Sequence, residues 1–172
     1  MIRAVGQPGD LGWVVMAHGE RYAAEYGWNM YFEGVVAQII ADFAAGNDPE
    51  REAGWIAEID GRRAGCVFCV RADDETAQLR ALLVEPFARG HGVGRQLVDA
   101  CLDFARTAGY QRMTLFTTNA LVAARSIYVS RGFTLTSEEP DDSFGKPLLA
   151  QRYDLDLLTT RVGRGTPASQ VC

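Results

Sequence analysis

The sequence predicts an α+β, or mixed α/β, layer built on one sheet. Three observations carry that expectation. An apolar stripe of helical period runs from Asn29 to Ala45, strand-like runs joined by tight turns follow it, and beyond a glycine-rich bend helical and strand patterns alternate.

In chain order, Gly12 to Ala17 (GWVVMA) is a short unbroken apolar run and reads as a strand, punctuated by His18-Gly19. Glu20 to Gly27 reads as a small helix. Asn29 to Ala45 reads as a longer one, because Tyr31, Phe32, Val35, Val36, Ile39, Ile40 and Phe43 recur at steps of three and four; Asn29 can cap it. Trp55 to Ile59 and Arg63 to Arg71 form a hairpin across Asp60-Gly61. Asp73-Asp74 turns the chain into Thr76 to Val84, a strand whose near-continuous apolar end predicts burial on both faces and a central place in the sheet.

Pro86 stops that strand, and an amphipathic helix with Leu97, Val98, Cys101, Leu102 and Ala105 on one face runs to Gly109. Met113 to Thr117 is a strand and Asn119 to Arg131 a helix stopped by Gly132. Phe133 to Glu138 and Leu148 to Leu157 are strands separated by the polar turn EPDDSFGKP. The 172 residues are expected to form a single domain, 1–172, with a core from about residue 13 to 157 and a flexible tail over 159–172.

Seventeen Lys and Arg against 22 Asp and Glu give a net charge of −5, which opposes nucleic-acid binding and favours a cationic partner. No apolar run approaches a membrane span, and the start MIRAVGQPGD lacks the pattern of a signal peptide, so a cytoplasmic location is expected. Cys66 and Cys69 mimic half of a zinc knuckle, but on a strand residues three apart face opposite ways; buried apolar cysteines and no metal are expected.

The organising stretch is LRALLVEPFARGHGVGRQLVDACLDFAR, Leu79 to Arg106. A strand feeding a glycine-rich turn into a helix N-terminus aims unpaired N–H groups and the helix dipole at one point, where an anion belongs. With Arg89 beside it, the anion is most simply a phosphate or pyrophosphate. The P-loop reading fails because no Lys-Ser or Lys-Thr follows the last glycine. The dinucleotide reading fails because the preceding elements are an antiparallel meander rather than a βαβ unit.

The spacing of Arg89, Gly92 and Gly94 resembles the acyl-CoA loop of the GNAT superfamily of N-acetyltransferases. NALVAARSIYVSRGF, Asn119 to Phe133, is similar to that family's second signature. The resemblance spans roughly Trp13 to Leu157. It implies a central, mostly antiparallel twisted sheet flanked by helices, with acetyl-CoA as cosubstrate and a primary amine of a small molecule or protein as acceptor. More narrowly, HGERYAAEYGW and the QRYDLDL ending look like the acetyltransferase half of bacterial proteins that carry a MarR-type winged helix in front. No winged helix is read here, so DNA binding is not carried over.

The resemblance also implies roles. Backbone groups of Arg89, Gly90, His91, Gly92, Val93 and Gly94, with the Arg89 charge, would hold the CoA pyrophosphate, and Arg95 would lie near its phosphates. Pantetheine would pair with the backbone of Leu82, Leu83 and Val84 and bond Asn119, for which a helix cap is the alternative. Tyr128 would be the general acid to the CoA sulfur and contact the cofactor. Where many members carry a Glu early in the central strand, this chain has Gln78, Leu79 and Arg80; Glu85 is expected to face solvent, and Glu33 is the candidate base. His91 reads as a phosphate neighbour. A catalytically weak acyl-CoA-binding sensor or interaction module is the alternative function. The aromatic cluster Tyr22, Tyr26, Trp28, Tyr31 and Phe32 beside Glu25 and Glu33 suits a cationic or aromatic amine, or an ordinary core. Exposed edge strands suggest a homodimer.

Overall fold

The computed structural model describes residues 1–46 and 48–158, so the expected tail over 159–172 lies outside the described residues. The elements are β1 (Ile2–Ala4), α1 (Asp10–Tyr26), α2 (Met30–Gly46), β2 (Ala53–Ile59), β3 (Arg62–Arg71), β4 (Thr76–Val84), a 3₁₀ turn (Pro86–Ala88), α3 (Val93–Thr107), β5 (Arg112–Thr118), α4 (Val122–Ser130), β6 (Thr134–Asp141) and β7 (Leu148–Asp156). They build one seven-stranded sheet of order β1-β2-β3-β4-β5-β7-β6. Among the described residues only β4 and β5 pair in parallel; the other neighbours are antiparallel.

The expected strand at Gly12 to Ala17 is instead the first half of α1. Its buried residues are Asp10, Val14, Ala17 and His18, a helical spacing hidden inside a short apolar run that suits a strand equally well. Gly19, taken as punctuation, is where α2 touches α1: a Cβ there would lie 2.7 Å from the Glu33 carboxyl carbon. The turn before α1 is organised by buried Asp10, which accepts bonds from the backbone of Gly6 and Gln7 and from Arg3 and Arg63. Those donors hold its carboxyl well below the usual carboxylate range despite burial, the Arg3 bond foremost. The short edge strand β1 is not evident in the sequence pattern.

Each face of the sheet carries its own core. Leu97, Val98, Cys101, Leu102 and Ala105 of α3 pack on Val67, Cys69, Leu79, Met113, Leu115 and Tyr153. On the other face Val14, Ala17, Val36, Ile40 and Phe43 of α1 and α2 pack on Ile56, Cys66, Phe68 and Leu83. Cys66 and Cys69 thus fall in opposite cores, as strand alternation requires, and both thiols are free and buried. The edge strand β6 is exposed along nearly its whole length and carries Glu138, Glu139 and Pro140, residues that discourage further strand pairing. Among the described residues, no helix is long and apolar enough to cross a membrane.

Two irregularities in β4 position the site. Cys66 pairs with Leu83 and Phe68 with Arg80, so Val67 alone stands opposite Ala81 and Leu82: β4 carries a bulge. Ala81 takes a left-handed φ of 52°, a strain of about 1 kcal/mol for a residue with a side chain. Pairing with β5 stops just before it, at Leu79 opposite Leu115, whereas β5 stays paired with β7 to Thr118. Among the described residues, the edge of β4 that faced β5 has no strand partner from Arg80 onward, and the sheet opens.

Candidate active site

A cleft of about 490 Å³ occupies the opening. Its walls are Leu82, Leu83 and Val84 of β4, the bend and helix start from Ala88 to Arg95 without His91, Leu121 and the Ala123, Ala124, Ser126 and Ile127 face of α4, and Arg21, Tyr22 and Tyr26 of α1. The bend is built for close approach. Gly92 takes a left-handed φ of 75° as the residue before α3, and no side chain caps that helix. Gln96 is the first residue of α3 to reach back, to the Gly92 carbonyl at 3.1 Å. The N–H groups of Val93, Gly94 and Arg95 therefore have no backbone partner among the described residues, and these three residues line the cleft at the positive end of the helix dipole. Gly94 lets α3 lie against both neighbours: a Cβ there would meet Ile127 Cδ1 at 2.8 Å and Val84 Cγ2 at 3.3 Å.

Of the residues the sequence singles out, Leu82, Leu83, Val84, Arg89, Gly90, Gly92, Val93, Gly94 and Arg95 all line this cleft. His91 lies on the exposed side of the bend, its Nδ1 3.0 Å from the Arg89 carbonyl. Arg89 is not free: its Nη2 donates to Glu25 Oε1 of α1 at 2.6 Å, which raises its pKa. The same contact ties α1 to the phosphate-loop bend.

Tyr128 is buried beside the cleft, one residue beyond Ile127 in its wall, with ring centroids of Phe133 at 5.9 Å and Tyr153 at 6.5 Å. Burial pushes its pKa up, so the hydroxyl keeps its proton, and it has no hydrogen-bond partner among the described residues. Tyr22 donates to the Leu82 carbonyl at 3.4 Å, fixing α1 against the bulge.

Asn119 does not cap the following helix, which starts at Val122 after Leu121. Its N–H donates to the Leu149 carbonyl at 3.1 Å and its Oδ1 accepts from the Leu149 N–H at 2.9 Å, so it extends the β5–β7 pairing instead. Glu33 stands exposed on α2 against Gly19, outside the cleft wall. Glu85 does not face solvent: it is 6% exposed and accepts from Arg21 Nε at 2.6 Å. This pair separates the cleft from a second, polar hollow of about 430 Å³ lined by Arg62, Arg63, Glu58 and Phe87.

The aromatic cluster is closed by its own packing. Trp28 stacks on Tyr22 (5.2 Å between centroids) and meets Phe32 at 4.7 Å and Phe144 at 4.8 Å, while Tyr31 points outward. Phe144 comes from the β6–β7 turn, read from sequence only as polar, and that turn is held by Asn29 through the Phe144 and Ser143 carbonyls. A glycine inside a strand is the signal for a second overlooked residue, Gly65, where a Cβ would lie 2.6 Å from the Leu83 carbonyl oxygen.

Residues 15–133 match the model of the acetyltransferase (GNAT) family. This chain belongs to the GNAT family. Among relatives of this GNAT chain, human N-acetyltransferase 8B is 36% identical over 89 residues, 49% of this chain and 39% of that protein. The N-acetylaspartate synthetase of Danio rerio is 34% identical over 88 residues, 51% of this chain and 31% of that protein. The chain thus matches well under half the length of either. Among solved structures, a ribosomal-protein-alanine N-acetyltransferase from Brucella melitensis superimposes with a TM-score of 0.72 at 18% identity, covering 91% of this chain and 99% of that one. A Salmonella typhimurium protein solved with its cofactor acetyl-CoA gives 0.70 at 21% identity, covering 100% and 98%. The fold, with its mostly antiparallel sheet and flanking helices, is the GNAT fold.

Proposed function

We propose that the chain is an N-acetyltransferase that moves an acetyl group from acetyl-CoA to a primary amine of a small molecule or protein by direct attack. The observation that carries this reading is the cleft, where the unpaired edge of β4 meets the uncapped N-terminus of α3. Family membership and the relatives' names, N-acetyltransferases among them, support it. Acetyl-CoA would supply the activated thioester. The free N–H groups of Val93, Gly94 and Arg95, with those of the bend, would hold its pyrophosphate. The backbone of Leu82 to Val84 would pair with the pantetheine arm and polarise the thioester carbonyl, and Asn119, whose Oδ1 is held by Leu149, would bond that arm through Nδ2.

Tyr128 is the general acid of this proposal. Its raised pKa makes complete transfer of the proton to a thiolate, whose parent thiol has a pKa of about 8.5, unfavourable. Its contribution is a hydrogen bond donated to the sulfur as the C–S bond breaks and negative charge develops there; the thiolate takes that proton as Tyr128 regains one, through water, from the nitrogen that has attacked. Among the described residues no carboxylate lines the cleft, so the amine is taken as its neutral fraction, with Glu33 reached only through water. That same absence favours a second reading, a catalytically weak acyl-CoA-binding module.

Thiol release measured over a panel of amines separates the two. Tyr128→Phe should lower kcat about 100-fold with acetyl-CoA affinity retained; tight CoA binding with no turnover, and no effect of Tyr128→Phe, selects the binding module. The kinship to winged-helix fusions enters as resemblance only, with no DNA binding proposed. A cytoplasmic location and a homodimer complete the reading, the latter checked by light scattering.

A further inference from the structure

Arg80 is the first residue of β4 beyond its pairing with β5. It stands opposite Phe68, whose side chain belongs to the core under α1 and α2, so Gln78 and Arg80 share the sheet face opposite α3 and α4. Arg80 is partly buried, and its guanidinium makes no hydrogen bond or ion pair among the described residues. It feels the carboxylate of Asp42 on α2, but that group already accepts from Gln38 at 2.7 Å. Two residues back, Gln78 is 7% exposed and its buried Nε2 has no partner among the described residues. Two donors on one face, one of them cationic, thus lack an acceptor among the described residues: Gln78, still paired with Thr114 of β5, and Arg80, the first residue past that pairing. Burying the Gln78 amide unmatched is costly, the partly buried Arg80 guanidinium beside it is unpaired, and an oxyanion matches both.

We propose that Arg80 and Gln78 hold the carboxylate of the acceptor, so that the substrate is an amine carrying a carboxylate, of the amino-acid class. This rests on the acetyl-transfer reading. Arg80 and Leu82 stand two residues apart across the bulge, a separation that an arginine side chain and a small amino acid together span. An acceptor anchored at Arg80 therefore presents its amine through the gap between β4 and β5, from the face opposite the α3 bend. The two unmatched donors select an anionic partner at the site itself, whatever the net charge of the chain.

The test uses the full chain and matched pairs, amino acids and their decarboxylated amines, such as phenylalanine with phenethylamine and ornithine with putrescine. Thiol release should favour the carboxylate member in kcat/KM by roughly ten- to a hundredfold. Arg80→Gln should collapse that ratio towards one, chiefly through KM, and Arg80→Lys should restore part of it. Equal use of both members, or an unchanged ratio in Arg80→Gln, overturns the proposal. Calorimetry of each pair on CoA-loaded wild-type protein reads the anion site without turnover. Silent thiol release with a preserved carboxylate preference in binding breaks the transfer reading alone, whereas binding without that preference breaks this one.

Discussion

The two faces of the sheet meet at β4 and are built by different means. Towards α3 and α4 the cleft is made of main chain: the unpaired edge of Leu82 to Val84, the bend at Gly92 and the free N–H groups of α3. Towards α1 and α2 the features are side chains, with Trp28, Phe32 and Phe144 packed together and Gln78 and Arg80 left unmatched. Backbone recognition suits a ligand part shared by every member of a family, and side-chain recognition suits the part that varies. The donor face should therefore be sensitive to backbone displacement, and the acceptor face to charge.

The largest expected effect tests the donor face. Gly65→Ala on β3 would put a Cβ 2.6 Å from the Leu83 carbonyl, a contact relieved only by moving the β4 backbone. Overpacking of this kind costs about 3 kcal/mol. Acetyl-CoA affinity should fall tenfold or more, because the displaced segment is the cleft wall. Chemical denaturation and calorimetry check both numbers; a variant as stable as the parent would mean that this edge is compliant and the main-chain account is wrong.

A smaller effect tests the α1 face. His18 is 2% exposed, with Nδ1 2.8 Å from the Val14 carbonyl and Nε2 without a partner among the described residues. Burial lowers its pKa from 6.5 to about 4. The folded state thus resists a proton that the unfolded chain accepts below pH 6.5, and stability falls with pH from there to about pH 4, where the folded form also protonates. Between pH 7 and 5 the loss should be about 2 kcal/mol. Asp10 does not contribute in that window, since its depressed carboxyl stays charged in both states above its ordinary 3.8. His18→Gln, which does not titrate, should flatten the slope; a slope that survives the substitution would refute this assignment.

The same division explains what the sequence reveals. The donor face is legible because glycine spacing reports backbone geometry directly: a helix start without a cap and a close α3–α4 approach leave Gly92 and Gly94 as their trace. The acceptor face is not, because its contacts join residues far apart in the chain. Glu85 looks solvent-facing until Arg21 of α1 packs over it, and Phe144 sits in a polar run whose partners are Trp28 and Phe32. Arg80 is visible as a departure from the family pattern, yet its lack of a partner is a property of the fold alone. In α1 a five- to six-residue apolar run fits either period, and packing against α2 decides for the helix. Asn119 has the chemistry of a cap, but sheet pairing with Leu149 takes its amide first.

The smallest expected effect is the most discriminating, because Arg89 and Glu25 join the two faces. The guanidinium is 50% exposed and the carboxylate 26%, so their pair is worth no more than about 1 kcal/mol. A bound pyrophosphate would compete with Glu25 for the same guanidinium and would be repelled by its charge. Glu25→Gln removes both effects, and CoA should bind about two- to fivefold more tightly at low ionic strength, with the gain fading as salt screens the charges. If Glu25 instead orients Arg89 for the phosphates, the substitution weakens CoA binding. The sign of that change, read by calorimetry at two salt concentrations, decides whether α1 competes with the donor site or helps to build it.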